Sequence, residues 1–507
     1  MRRISIHLNG PGMTFMHRIG LAGLWMTLGA IEKDRKASAF LQNQGWSWKL
    51  NPQSVTMEWN GTGKPSFQHL LKESFMTSPG GLIWFRALGS PEDNIGSSTV
   101  LHEALLGTFL QHVKAKKVEP KRATGTLNYE IDGVPFILKY RKVTSYIHQK
   151  ALDTLRDGML PIAGWQYPGG IVRHSGWSAT ALSEPIERLL PLIYAPVGAL
   201  YFIVKSNGTG MRPRFAIVIP EVGDLEAYAN VRPILQELGI EQLTVAGPKE
   251  AAFRVLATLQ TRRMLDRLKL TSCRIVSFGT VPWSKQQKSR IGVFTVKVDD
   301  RHGLRVYAIC QTHMSPTWVR LDSGDPFLSV PQTPELVADN LSKGRPWWSG
   351  FAGFVSDKDV GTHIFKYERM GIGAMVKNST ALPDSPEKIF VAACHEAWRR
   401  RAGSLGEDAR RRGVSFTNLY EREFEKTRIA FAHCKDGSSF RQTITNFWAR
   451  NGSLNALRDN WGYILPLLGS RWQEGRDLAL LALASYKGEQ PDIVQDETSA
   501  EAVGEEE

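Results

Sequence analysis

The sequence predicts an α+β protein: a mixed α/β body over residues 1–370, an all-α bundle over 371–487 and an acidic, disordered tail over 488–507. Three observations lead there. Short β-rich runs such as Leu200–Val204 and Arg214–Ile219 alternate with helical periodicities through the first 370 residues. Strand signals stop near Gly371-Ile372-Gly373, and four amphipathic stripes follow. The last twenty residues, Gly488 to Glu507, hold eight acidic side chains and no basic one, a composition that solvates rather than packs.

The elements follow in order. Arg3 to Leu8 alternates as a strand should, and Asn9-Gly10-Pro11-Gly12 breaks it with turn residues. Thr14 is placed to cap a helix running to Gly29. Leu127–Tyr140 reads as a hairpin about Asp132-Gly133, with Pro135 restricted to an edge strand or to the first residues of the second strand. After the two runs at 200–204 and 214–219, helices are expected at about 223–238 and 248–266. A β-rich section spans Arg274–Trp318, interrupted over Pro282–Arg290. In the bundle, Phe390, Cys394 and Ala397 share a helical face, as do Phe416, Tyr420, Phe424 and Phe431. Leu454, Leu457, Trp461 and Ile464 form a third stripe, and Leu478–Ala484 a fourth.

Charge narrows the function classes. The chain of 507 residues has a formal net charge of +13. Residues 1–487 alone carry 63 basic against 42 acidic side chains, a net +21, and such a field attracts polyanions. Cys273, Cys310, Cys394 and Cys434 are far apart and form no Cys-x-x-Cys pair, which points to a reducing cytoplasm and away from a thiolate metal site. The apolar stretch Ile19–Met26 is short and glycine-containing and follows a strand and turn, so neither a signal peptide nor a membrane span is expected.

Enzymatic signatures are lacking. His395-Glu396-Ala397-Trp398-Arg399 begins like a zincin motif but has Arg where the second histidine belongs. There is no His-Asp dipeptide and no phosphate-cradling Gly-x-x-x-x-Gly-Lys string. Asp384 with Glu387-Lys388 is too tightly spaced, in a proline-rich turn, to hold metals on two strands.

Three polar loops and one helical cluster are the candidate nucleic-acid contacts. The first, Lys205 to Arg214, sets Lys205, Asn207, Thr209, Arg212 and Arg214 among glycines that let a backbone approach a groove. The second sets Gln286 and Gln287 among Lys285, Lys288 and Arg290, beside Trp283; glutamine can bond a base edge or wedge into an opened duplex. The third, Lys343-Gly344-Arg345-Pro346-Trp347-Trp348, offers two cations and paired tryptophans that either stack bases or anchor a core. The cluster is Arg399-Arg400-Arg401 and Arg410-Arg411-Arg412, eleven residues apart. That spacing aligns the triplets on an unbroken helix, but Gly403 and Gly406 are expected to break it. An ordinary solvated loop or basic face reads the same way at each place.

The string from Ile6 to Leu28, IHLNGPGMTFMHRIGLAGLWMTL, resembles the opening of one family: the large subunit (Cas-eight, Myxan subtype, type I-A/I-B-like) of type I CRISPR Cascade effectors. Trp165-Gln166-Tyr167-Pro168-Gly169-Gly170 with Arg173-His174, and Gly344-Arg345-Pro346-Trp347-Trp348, fit the same family, as do length and block order. The resemblance implies a non-catalytic subunit without cofactors. Its α/β body would sit near the guide RNA 5′ handle and read the protospacer-adjacent motif in duplex DNA. Its helical bundle would resemble the Cascade small subunit and line the path of the separated strands. Implied partners are the guide CRISPR RNA, target double-stranded DNA, the handle-binding, backbone and small subunits, and either a helicase-nuclease or a transposition adaptor. Relatives can make the small subunit from an internal start, for which Met370 and Met375 are the available residues here. A metal-dependent nuclease and a purely structural RNA–protein scaffold are the competing classes. The first predicts divalent-dependent cleavage and the second no motif-specific duplex binding.

Overall fold

The computed structural model describes residues 1–61, 64–109, 124–131, 134–143, 160–161, 183–205, 214–268, 270, 272–283, 286–297, 301–319 and 327–486. The chain divides into two compact units, Met1–Trp347 and the remainder from Trp348. The first mixes sheets and helices and the second is helical among its described residues, giving an α+β protein.

In the first unit, Arg2–His7 pairs antiparallel with Ser54–Trp59, which pairs in turn with Ser47–Asn51. A five-stranded sheet has the order Thr244–Val245, Leu200–Val204, Arg214–Pro220, Ser272–Trp283, Gln286–Lys297. Its pairs are antiparallel except Leu200–Val204 with Thr244–Val245. Leu200–Val204 and Phe215–Pro220 are buried almost without alternation, as strands covered on both faces must be. The first helix, Phe15–Lys33, starts at Thr14, whose N–H donates to His17 Nδ1 at 3.2 Å. It crosses Ile186–Gly198 at backbone contact. A Cβ on Gly20 would overlap the Pro191 carbonyl, one on Gly23 the Tyr194 carbonyl, and one on Gly198 the Ile19 carbonyl. The glycines that argue against a signal peptide are therefore the packing surface of the helix.

The second unit is organised around Trp472–Ser485, where Asp477–Ser485 is buried without a break. Such an all-round apolar helix belongs at the centre of a bundle. Around it pack Phe351–Phe354, Arg369–Lys377, Pro386–Arg412, Phe416–Ala432, Gly437–Ala449 and Trp461–Leu468. Asp477 is an outlying cap: its carboxylate accepts from Gly350 N (2.7 Å) and Ala352 N (2.9 Å) at the start of Phe351–Phe354.

Several expectations need correction. Arg301–His313, inside the expected β-rich section, is a helix with Leu304, Tyr307 and Cys310 buried; its Val and Ile read as strand while the three-residue spacing is helical. The expected interruption at 282–290 is mostly ladder, with Pro282 opposite Gln287 and Trp283 opposite Gln286. Gly403 and Gly406 do not break the helix Pro386–Arg412, which runs 27 residues from Ser385 to Gly413, where φ is +64°. Its flanks are rich in Ala, Arg, Glu and Leu, and burial of Leu405 and Ala409 offsets about 1 kcal/mol per glycine. The third stripe is split between Asn455–Arg458 and Trp461–Leu468, with Trp461 41% exposed. Gly371–Gly373 lies within the helix Arg369–Lys377. The hairpin at Thr124–Ile131 and Val134–Arg141 is present as a two-stranded sheet, so Pro135 does sit on an edge. Trp165–His174 and the acidic tail fall outside the described residues.

Candidate nucleic-acid interface

The long helix Pro386–Arg412 gathers the most exposed positive charge that the structure describes. Because it is unbroken, residues eleven apart differ by about 20° around its axis and about 16 Å along it. Arg399, Gly403, Gly406 and Arg410 consequently share one face. Arg399, Gly403 and Arg410 are exposed, and nothing lies within 4 Å of where a Gly403 Cβ would be. Between the two guanidiniums the face is thus open at Gly403, while Gly406 is half-buried, with the Phe416 ring 3.9 Å from where its Cβ would be. Neither guanidinium has a carboxylate partner among the described residues; Arg410 Nε reaches only the Gly406 carbonyl at 3.4 Å.

Their neighbours are committed elsewhere. Arg400 bonds Glu396 (2.6 Å) and the Asn451 carbonyl (3.2 Å). Arg401 pairs with Glu423 at 2.9 Å and Arg411 with Asp408 at 2.7 Å. Arg412 is exposed in the last turn, where a cation complements the helix dipole. The two triplets thus divide into charges offered to solvent, a charge paired along its own helix at Arg411, and two, Arg400 and Arg401, that tie the helix to other segments of the bundle.

The third predicted loop is a helix terminator. Gly344 N donates to the Leu341 carbonyl at 3.1 Å and Arg345 N to the Asn340 carbonyl at 3.0 Å, the paired bonds of a Schellman motif. Gly344 takes φ +65° to make them. Trp347 and Trp348 are 2% and 3% exposed, so both are core anchors and neither is a stacking platform. Lys343 and Arg345 lean back onto Asp339 at 2.6 and 3.3 Å, and Lys249 bonds the same carboxylate. One carboxylate shared by three cations leaves local positive charge; burial acts to raise the Asp339 pKa, but Lys249 and Lys343 outweigh it and hold the group below the usual carboxylate range.

Around the first loop only the flanks are described. Lys205 is half-buried, donates to the Leu328 carbonyl and lies over the Phe327 ring at 5.7 Å; burial lowers its pKa. Arg214 is exposed at the strand end opposite Val204. Asn207, Thr209 and Arg212 lie outside the described residues, as does Lys285. Gln286, Gln287, Lys288 and Arg290 lie on the strand Gln286–Lys297 in register with Trp283, Pro282, Val281 and Gly279. Of the four predicted groups, Lys343 and Arg345 and the described parts of the first two lie in the first unit, and the arginine cluster lies in the second. Sequence reasoning also missed Lys249, Arg18 and Arg274, which stand singly on helices and a strand where no local motif marks them.

The motif-like carboxylates are structural. Glu396 accepts from Asn455 N (3.0 Å) and Ala456 N (3.2 Å), fixing the short helix Asn455–Arg458. His395 Nε2 lies 3.0 Å from the Ala482 carbonyl and 2.9 Å from Ser485 Oγ, and burial pushes its pKa down to about 4. Asp384 pairs with Lys388 and Glu387 with Arg471, both at 2.7 Å. Among the described residues no group of three His, Cys, Asp or Glu is placed to hold a metal, and no helix is long and apolar enough to cross a membrane.

Two family models match the chain: the DevT N-terminal domain over residues 5–193 and the DevT C-terminal domain over 378–507. The chain is also similar to the CRISPR-associated protein Cas8a1/Csx13 of Myxococcus xanthus (strain DK1622). The two are 28% identical over 541 aligned residues, covering 99% of this chain and 91% of the relative. The matches span both units, and the chain belongs to the DevT family, which fits the resemblance of its opening string to the Myxan-subtype Cas8 proteins.

Proposed function

We propose that the protein is the non-catalytic large subunit of an RNA-guided CRISPR complex that recognises the protospacer-adjacent motif in duplex DNA and stabilises the opened strands. The observation that carries this reading is the similarity, over 99% of the chain, to a protein named as CRISPR-associated Cas8a1/Csx13. In RNA-guided recognition, base pairing reads the sequence while protein reads a short motif and the backbone. A net +21 on residues 1–487 suits that work. The first unit, with the strands flanking Asn207 and the hairpin carrying Gln286 and Gln287, would contact the guide handle and the motif. The second would guide a separated strand along Arg399, Gly403, Gly406 and Arg410, where a backbone can lie close against the helix. Partners would be the guide RNA, target duplex, other Cascade subunits and a helicase-nuclease or transposition adaptor.

The test is motif-scanning duplex binding by the assembled complex. Binding to motif-bearing duplex at least tenfold above a scrambled motif supports motif reading, and equal binding reduces the chain to a scaffold. Incubation with magnesium or manganese should leave DNA and RNA intact. Cleavage that survives re-purification and is abolished by one carboxylate substitution would make it an enzyme instead.

A further inference from the structure

A half-open cleft of about 370 Å³ in the first unit is lined by the start of the helix Phe15–Lys33, the end of the strand Arg214–Pro220 and Arg274. None of the residues that line it belongs to the four predicted groups. From its geometry we propose that it is a pocket for one unstacked nucleotide of a single strand, a reading that rests on the nucleic-acid function above.

Four features favour that ligand. The Arg274 guanidinium lies over the Phe15 ring at 4.7 Å, and single-stranded nucleic acids are held by bases stacked on aromatic rings and guanidinium planes. Arg274 is exposed and has no carboxylate partner among the described residues. Arg18 bonds Glu221 through Nη1 at 3.3 Å, yet its Nε is buried with no hydrogen-bond partner, a donor that calls for an acceptor such as a phosphate oxygen. Ser272 Oγ donates to Glu221 at 2.7 Å, fixing a carboxylate able to accept from the exocyclic amine of a base. Among the described lining residues two guanidiniums against one carboxylate give a net +1, matching the single negative charge of a phosphodiester. Its volume falls at the lower end of ligand pockets, about 300–1,000 Å³.

Either the guide RNA or a separated DNA strand could supply the nucleotide, and an abasic scan distinguishes them. Affinity of the assembled complex is measured for guide RNAs carrying one abasic position at a time, and in parallel for target DNAs with the same series. The protein is wild type, Phe15→Leu or Arg274→Gln. In the wild-type complex one abasic position should weaken binding about tenfold, and the series in which it occurs names the strand. In both variants that position should matter twofold or less. Arg274→Gln changes an exposed side chain, so it keeps the test valid if Phe15→Leu melts early. A flat scan in wild type, or an equal position effect in the variants, overturns the pocket while leaving general strand binding standing. Wild-type complex that binds neither strand overturns the functional reading as well.

Discussion

Arg399 and Arg410 are the side chains on which the strand-path reading turns. Both are exposed and without a carboxylate among the described residues, whereas Arg400, Arg401 and Arg411 each hold one. Substituting Arg399→Gln and Arg410→Gln together should weaken binding of all sequences alike. The slope of log affinity against log salt should fall by roughly 1.4–1.8, because each phosphate contact contributes about 0.7–0.9. Arg401→Gln should leave that slope unchanged and lower the melting temperature. Two glycines make an opposite pair. Gly20→Ala forces a methyl into the Pro191 carbonyl and should cost about 3 kcal/mol or more. Gly403→Ala meets open space on a helix and should stabilise by about 0.5–1 kcal/mol; denaturant unfolding reads both. His395 sets an acid limit on the second unit. Its pKa is about 4 in the fold against 6.5 in the open chain, so the unfolded state binds more protons between those values. The stability it supports is complete above pH 6.5 and falls as pH drops toward 4, on the order of 2–3 kcal/mol. Thermal melts of His395→Gln should show a shallower acid decline than wild type.

Elements were legible where one local signal sufficed. Arg2–His7, Phe15–Lys33, the 124–141 hairpin and the pair at 200–204 and 214–220 declare themselves by alternation, a cap, a turn dipeptide or an unbroken apolar run. What failed was any place where tertiary burial outweighed a local breaker. Glycine in Pro386–Arg412 is tolerated because the helix is long and half-buried, and Val306 and Ile309 sit in a helix because Leu304, Tyr307 and Cys310 face the core. The site was harder to read than the fold. Gly344-Arg345-Pro346-Trp347-Trp348 resembles a recognition loop, yet its glycine ends a helix and its tryptophans fill a core. Residue types can be read from a sequence, but which cation keeps a carboxylate partner, as Arg400 does and Arg399 does not, depends on contacts between distant segments. Arg274 over Phe15 joins residues 259 positions apart and leaves no trace in either neighbourhood.

At the scale of the molecule, the second unit begins at Trp348, well before either candidate internal start. Phe351–Phe354 packs on the central helix, and Asp477 caps it from inside the bundle. A fragment beginning at Met375 would keep only the last three residues of the nine-residue helix Arg369–Lys377. It would also remove both backbone donors of the Asp477 carboxylate and uncover the face of the central helix on which Phe351–Phe354 packs. We expect residues 348–486 to fold alone with a cooperative helical melt by circular dichroism, and residues 375–486 to be markedly less stable, losing about 3 kcal/mol or more for the lost packing and hydrogen bonds. If both fragments melt alike, the first turns of the unit contribute nothing to its stability.

The functional account makes one demand on the whole protein. It must confer motif-dependent duplex binding on a complex that already holds guide RNA. The direct measurement compares the guide-loaded complex, purified with and without this chain, on duplexes that differ only in the motif beside the target. The account predicts that the complete complex favours one motif at least tenfold and that the preference disappears when this chain is omitted. Identical motif preference in both preparations would contradict it.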